Sequence, residues 1–388
     1  MKKRILIIYA KSTSEIFNRQ SALGSYIFCL AGILYKNGYD ITINNIPFDN
    51  QLKQSNQALS VTKTSGSFIK KLLPSFFKEA IKDLQLFRSM DLFCKSIDTG
   101  KEFDKIIEFY TYGSEVGFRL SQKYNKPLVL IYDNPVLEEH TFFHSGQLFF
   151  KNKIELRERS SILNAQSLVI YSNPVKKYLE TKYQAKLNAF IHQNVDFTRF
   201  DFIPSKICEN TINIGFLGSF LKWHRVDILL NVFVRLKMEG HSIRLFLIGN
   251  GMEYESIRQK VETLNLHKDI VMPGFADGGE LLNYKLELHI GVMPGSNWYG
   301  APNKIFEYGA AHLAVIAPDT PTIKDLFRDK EELLLFKQDD EADMYLKLKS
   351  YIIDRDLLSK CAIKLQNKIR ANYSENSTFT FYKDLLEK

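Results

Sequence analysis

The strongest constraint on this chain is a pattern that occurs twice. Short β-rich runs alternate with longer segments of helical periodicity, and after a polar break near the middle the alternation begins again. The first series contains "RILIIYA", "DITINNI", "FDKIIEFY", "KPLVLIY" and "SLVIYS". Between its first two members, "GSYIFCLAGILYKNG" carries apolar residues at helical spacing and stops at Gly38, a residue suited to helix termination. The second series contains "INIGFLGSF", "IRLFLIGNG", "DIVMPGF", "LELHIGVMPG" and "HLAVIAPD", with helices expected from "VDILLNVFVRLKMEG" and over 252–264. Strands alternating with helices specify parallel sheets with helical crossovers. The expected fold class is α/β, with two Rossmann-like parallel-sheet domains facing a central cleft, and a ligand bound at the carboxyl ends of the strands. The break "VDFTRFDFIPSKICEN", with Pro204, sets expected domains of 1–204 and 205–372, followed by a terminal helix over 373–388.

At 388 residues, with 45% hydrophobic and 25% charged residues, the chain has enough apolar material for two ordinary globular cores. Cys29, Cys94, Cys208 and Cys361 lack metal-ligand or disulfide-like spacing and read as inert thiols in a reducing compartment, so a cytoplasmic location is expected. The apolar run in "MKKRILIIYAKSTSE" is cut short by Lys11 and reads as a first strand, being too brief for a signal sequence or a membrane span. Charge is uneven: residues 1–205 carry a net +9 and residues 206–388 a net −1. A basic first half suits an anionic ligand or surface. No nucleic-acid-reading motif accompanies it, and aromatics are not interleaved with basic residues as a platform, so nucleic acid is not an expected partner. The segment 67–97, "SFIKKLLPSFFKEAIKDLQLFRSMDLFCKSI", mixes Phe, Leu and Ile with Lys70, Lys71, Lys78, Lys82, Arg88 and Lys95. That pattern suits either a basic amphipathic helix pair on an anionic membrane or an ordinary packed helix with a solvated lysine face.

Gly215, Gly218, Gly249, Gly251, Gly274, Gly295 and Gly300 fall at or just after predicted strands, where the backbone turns or approaches a ligand. The segment "SNWYGAPNKIFEYGAAHLAVIAPD" places a turn and a helix between two such strands. Pro302 suits a helix start, and Glu307 stands about one turn in. N–H groups at the helix start together with Lys304 can hold a diphosphate, while Glu307 can accept from the paired hydroxyls of a ribose. A simpler role for Glu307 is an acidic residue favoured near a helix start.

In order and spacing, "GFLGSFLKWHRVDILL", "LFLIGNGMEYESIR", "DIVMPGF" and "APNKIFEYGAAHLAVIAPD" resemble the donor domain of retaining GT-B glycosyltransferases of family 4. The likeness is dense over 212–319 and sparser over "SALGSYIFCLAGILYKNGYDITI", "KPLVLIYDNPVLEE" and "SLVIYSNPVKKYL". "YSENSTFTFYKDLLEK" is similar to the closing helix that crosses back to the first domain in this family. The resemblance implies transfer of a sugar from a UDP- or GDP-linked donor to a saccharide or lipid-linked acceptor, with retention of anomeric configuration. It implies no metal or other cofactor, and a cytoplasmic enzyme, peripheral on a membrane where 67–97 makes the contact, in surface polysaccharide or glycoconjugate synthesis.

Carried over residue by residue, the resemblance gives Asp133, His224 and Lys304 catalytic roles. It assigns Gly24, Gly218, Ser219, Arg225, Gly249, Tyr299, Gly300, Ala301, Pro302, Asn303 and Glu307 to the donor. Two departures stand out. Family members carry two Glu separated by seven residues, and here the first is Tyr299 while Glu307 matches the second. The Arg and Lys of the family's "GR…KG" pattern are Ser219 and His224, with Arg225 in place of the Gly. Positive charge on the leaving diphosphate is therefore expected from Lys304, with His224 or Arg225 beside it; His224 can act as a neutral donor or a cation, or else cap the following helix. Asp133 lies where members carry a His near the reacting sugar; a turn-forming role before Pro135 is its plainer reading. A degenerate nucleotide-sugar-binding scaffold and a nucleotide-sugar epimerase stand as alternatives.

Overall fold

In the computed structural model the described residues are 2–10, 13–17, 22–49, 75–97, 102–143, 148–193, 195–197, 200–204 and 210–388. The chain divides into two compact units, Met1–Asp196 with Glu375–Lys388, and Phe197–Ser374. The division falls ahead of the break expected at Pro204. Its physical reason is a strap of hydrogen bonds: the Ile203 amide donates to the Ala310 carbonyl at 3.3 Å, and Gln366 Nε2 donates to both Ile203 O and Ala310 O at 2.8 Å. Residues 201–203 thus belong with the second unit. Cys208 and the rest of 205–209 lie outside the described residues.

The first unit holds a sheet of β1 (Arg4–Ile8), β2 (Asp40–Ile43), β3 (Ile46–Pro47), β4 (Lys105–Phe109), β5 (Leu128–Tyr132), β6 (Ser167–Ile170) and β7 (Ala189–Ile191), in the order β3-β2-β1-β4-β5-β6-β7. Among the described strands, only the short β3 pairs antiparallel, with β2. The near-continuous apolar runs read from the sequence are what a parallel strand covered on both faces requires. Helix Ala22–Lys36 covers one face, contributing Tyr26, Ile27, Leu30 and Leu34 to a core with Ile5, Ile7, Ile107 and Val129. It ends as expected at Gly38, which takes φ +93°. The terminal helix, Glu375–Glu387, packs into this same core through Tyr382, Leu385 and Leu386, with Tyr26 Oη 3.1 Å from Tyr382 Oη. Lys3 and Lys105 donate to its last carbonyls, Leu386 O and Leu385 O, at 3.0 and 2.8 Å.

Of the basic segment 67–97, residues 67–74 are outside those described, and nearly all the rest is one helix, Ser75–Ser96. Ala80, Asp83, Phe87, Met90 and Cys94 line its buried side, Phe87 clustering with Leu137 and Ile154. Most of its apolar stripe is therefore used in packing. Leu84, Arg88, Leu92 and Lys95 form the opposite, exposed row. Among the described residues no helix is long and apolar enough to cross a membrane.

The second unit is a fully parallel sheet of β8 (Ile212–Leu217), β9 (Ile243–Ile248), β10 (Ile270–Gly274), β11 (Ile290–Val292), β12 (Ala314–Pro318) and β13 (Leu334–Phe336), ordered β10-β9-β8-β11-β12-β13. This is the doubly wound order of dinucleotide-binding sheets. The strand expected from Leu286 starts only at Ile290, because Leu286 and Glu287 finish helix Gly278–Glu287. Asp354 caps helix Arg355–Asn372 by accepting from the Leu357 amide at 2.9 Å.

Candidate functional site

In the second unit the strand order reverses between β8 and β11, so the crossovers diverge and leave a crevice at the carboxyl ends of these strands. Two loops, 218–225 and 293–302, arise there. Gly218 adopts φ +146° and Gly249 φ +133°, conformations that favour glycine. A Cβ on Gly249 would fall 1.9 Å from Gly218 O, and one on Gly218 would fall 2.5 Å from Lys304 Cε. The loops after β8 and β9 therefore touch backbone to backbone, with the Gly218 amide donating to Ile248 O and the Phe220 amide to Asn250 O, both at 2.9 Å. The arm of Lys304 crosses the space left by Gly218.

Lys304 is aimed by its helix, Asn303–Ala310, which begins just after Pro302. Ile305, Phe306 and Tyr308 are buried, and Tyr308 Oη accepts from the Leu217 amide at 2.8 Å, fixing the helix to the end of β8. The opposite face carries Lys304 and Glu307, both partly exposed. Lys304 Nζ stands 3.1 Å from His224 Nε2 and 5.7 Å from the Phe216 ring centroid. His224 Nδ1 is 2.5 Å from Ser219 O. A carbonyl oxygen only accepts, so Nδ1 bears the proton and Nε2 is left to accept from the ammonium. Burial, and then the Lys304 charge, push His224 down to about 3, against the opposing Ser219 contact. His224 is thus a neutral orienting acceptor at working pH, which removes the cationic role; the ring serves Ser219 O and Lys304, and among the described residues no side chain caps the following helix. Desolvation draws Lys304 down to about 8, with Glu307 pulling the other way. The result is a destabilised ammonium beside a helix start, which an incoming anion would stabilise.

The remaining expected residues separate into groups. Ser219 is exposed next to Gly218, and Gly300, Ala301 and Asn303 are partly exposed around the start of the Lys304 helix. Asn303 Oδ1 is buried and, among the described residues, has no hydrogen-bond partner. Tyr299, in the position of the missing Glu, is buried; its Oη accepts from Asn297 Nδ2 at 3.3 Å and its ring meets Trp298 edge-on. Arg225 is held by carboxylates: Nε lies 3.2 Å from Asp227, and Nη1 pairs with Asp339. Its backbone is left-handed, φ 49° and ψ 43°, a conformation the family's glycine takes without strain and a non-glycine takes at about 1–2 kcal/mol. Glu307 Oε2 is 3.9 Å from the Lys285 ammonium. In the first unit, Gly24 is buried in the first turn of helix Ala22–Lys36, beyond a helical turn, Thr13–Phe17, that separates it from β1. Asp133 follows β5, is partly exposed, and accepts a hydrogen bond from Tyr171.

The family described as Glycosyl transferases group 1 matches residues 198–372, almost the whole of the second unit. That match spans a little under half of the chain. Solved structures extend the likeness, as one of fold, over both units. Sucrose-phosphate synthase from Thermosynechococcus elongatus superposes with a TM-score of 0.72 at 15% identity, covering 100% of this chain and 98% of that one. Anabaena HepE in complex with UDP gives 0.69 at 14% identity, with 100% of each chain covered. A mutant of S. aureus TarM in complex with Fondaparinux, alpha-GlcNAc-glycerol and UDP gives 0.61 at 15% identity over 77% of this chain and 59% of that one. No curated protein matches the chain by sequence. At these identities the likeness establishes the fold, which is GT-B.

Sequence reasoning did not single out Lys285 of the second unit, which is only 3% exposed and bridges Glu307 to Asp201. Its signal was faint, one lysine in the polar run "NYKLELH". The buried Glu108 was more legible, as a charge inside the apolar strand "FDKIIEFY".

Proposed function

We propose that this chain is a retaining glycosyltransferase that moves a sugar from a nucleotide diphosphate sugar, most simply a UDP-sugar, to a saccharide or lipid-linked acceptor. The observation that carries the reading is the Lys304 ammonium, desolvated, held by neutral His224 and set at a helix start where β8 and β11 diverge. The complexes of HepE with UDP and with UDP-glucose, and of TarM with UDP, support a uridine donor over the GDP alternative. In this reading the diphosphate lies on Lys304 and the N–H groups of the helix start, and Glu307 accepts from the ribose hydroxyls. As the bond between the anomeric carbon and the diphosphate breaks, charge grows on the departing oxygen, and Lys304 stabilises it more in the transition state than in the ground state. Lys304 rather than a divalent ion is assigned this charge. Ser219 and the glycines admit the phosphates; Arg225, tied to Asp227 and Asp339, orders the loop.

The acceptor is assigned to the first unit. Asp133, already accepting from Tyr171, serves there as a fixed hydrogen-bond acceptor for a sugar hydroxyl. A lipid-linked acceptor and a peripheral membrane position are compatible with the exposed row Leu84, Arg88, Leu92 and Lys95. Synthesis of a surface polysaccharide or glycoconjugate is the corresponding role. The test is incubation with UDP-glucose and a panel of saccharide acceptors, followed by NMR of the anomeric proton. An α-linked product supports retention; a β-linked product overturns it. Binding without turnover would favour the scaffold, and conversion of the donor sugar without acceptor would favour the epimerase.

A further inference from the structure

Burying a lysine costs several kcal/mol unless the ammonium is paired. Lys285, near the end of helix Gly278–Glu287, is buried with its Nζ 2.8 Å from Asp201 Oδ2 and 3.9 Å from Glu307 Oε2. Of the two carboxylates, Asp201 forms the hydrogen bond and Glu307 the longer electrostatic contact. Asp201 belongs to the strap that begins the second unit, and the same strap is fastened to the end of the Lys304 helix through Ile203, Ala310 and Gln366. His312 Nδ1, just past that helix, adds a contact of 3.2 Å to Gln366 Oε1. The helix that carries Glu307 is therefore fixed at its last turn by the strap and drawn at Glu307 by the cation that the strap holds.

We infer that Lys285, held by Asp201, is a positioning residue for nucleotide binding: it holds the Glu307 carboxylate turned toward the place of the ribose hydroxyls. The inference rests on the reading of Glu307 as the ribose acceptor. Without Lys285, Glu307 loses this cation contact beside the second partly buried carboxylate of Asp201, and repulsion between like charges turns it away from the ribose. The loss would fall on the ribose increment of binding, because Lys304 and the helix start hold the diphosphate separately.

The probe is UDP against 2′,3′-dideoxy-UDP, measured by calorimetry on the full chain, with folding of each variant checked by circular dichroism. The native protein is expected to prefer UDP by about tenfold or more, the scale of one or two hydrogen bonds to a charged group. Glu307→Gln should remove most of that preference. Lys285→Met should reduce it about fivefold or more while dideoxy-UDP binding stays within about twofold, and Lys285→Arg should restore part of it. Asp201→Asn removes the charge that holds the Lys285 ammonium and should reduce the preference about twofold or more, again with dideoxy-UDP binding little changed. If Glu307→Gln leaves the preference intact, the ribose reading falls and the inference falls with it. If Glu307→Gln abolishes the preference but folded Lys285→Met keeps it, the inference alone is overturned and Lys285 is structural. If Lys285→Met does not fold, Asp201→Asn decides: a reduced preference with dideoxy-UDP binding intact supports the inference, and an unchanged preference contradicts it.

Discussion

Glu158 of the first unit and Lys304 of the second are both withdrawn from water, and they differ in what meets them. Glu158, fully buried on helix Lys151–Leu163, accepts from Tyr132 at 2.6 Å, from Tyr183, and from Lys182 at 2.8 Å. Lys182 reaches Glu138 as well, at 2.9 Å. Glu108 on β4 likewise accepts from Ser114 Oγ at 2.5 Å and from the Gly117 amide at 3.1 Å. Each interior carboxylate has donors supplied by its own unit, which marks it as part of the architecture. Lys304 has the lone pair of a neutral imidazole, and its loss of hydration shows as a lowered tendency to stay protonated. A desolvated charge without a full protein counter-charge is poised for a ligand of opposite sign.

Three substitutions sharpen or break this contrast. The largest effect is expected from Lys304→Met, which should lower glycosyl transfer about a thousandfold, or roughly 4 kcal/mol of transition-state stabilisation, while leaving the denaturation midpoint near native. A steady-state assay beside a urea titration checks both halves; a large stability loss with intact turnover would reverse the assignment. Glu158→Gln should do the opposite. It leaves Lys182 with a broken buried pair and should destabilise the protein by about 3 kcal/mol in a urea titration, with UDP affinity of the folded protein unchanged.

The third is Glu108→Gln, whose effect reaches a similar size only at the upper end of a pH window. Burial raises the Glu108 carboxyl from 4.5 to about 7, against the opposing bonds from Ser114 and Gly117. Between those values the folded protein keeps a proton that the unfolded chain has lost, so native stability falls as pH rises through this window and levels off above it. Glu108→Gln removes the slope. Relative to native, the variant should gain up to about 3 kcal/mol between pH 4.5 and 7. Denaturant melts across that range check it, and parallel curves for the two proteins would contradict it.

The same contrast explains how much was legible in the sequence. Apolar runs such as "KPLVLIY" and "IRLFLIGNG" fix buried parallel strands directly, and both are strands. β7 and β13, at three residues each, offer too short a run to register, and β7 is only half-buried. Glycine spacing and the "APNKIFEYGAA" segment pointed to Lys304 and Glu307 because both are local to one loop and helix. The contact of His224 with Lys304 joins residues 80 apart, and that of Lys285 with Glu307 joins two helices across an intervening strand. Such pairings depend on the strand order, which a linear pattern does not contain. The protonation of His224 was open for the same reason, since burial and a neighbouring cation set it together.

The most direct test is calorimetric titration of UDP and uridine into the native protein and Lys304→Met from pH 7 to about 9.5. Lys304 is charged below about 8, so native affinity for UDP should be steady at the lower end and fall as pH rises through that value. Uridine binding should follow no such curve, and Lys304→Met should bind UDP about tenfold more weakly with a flat profile. Absence of UDP binding, or equal affinity and the same pH slope in native and variant, would contradict the assignment of the β8 and β11 strand ends as a nucleotide diphosphate site.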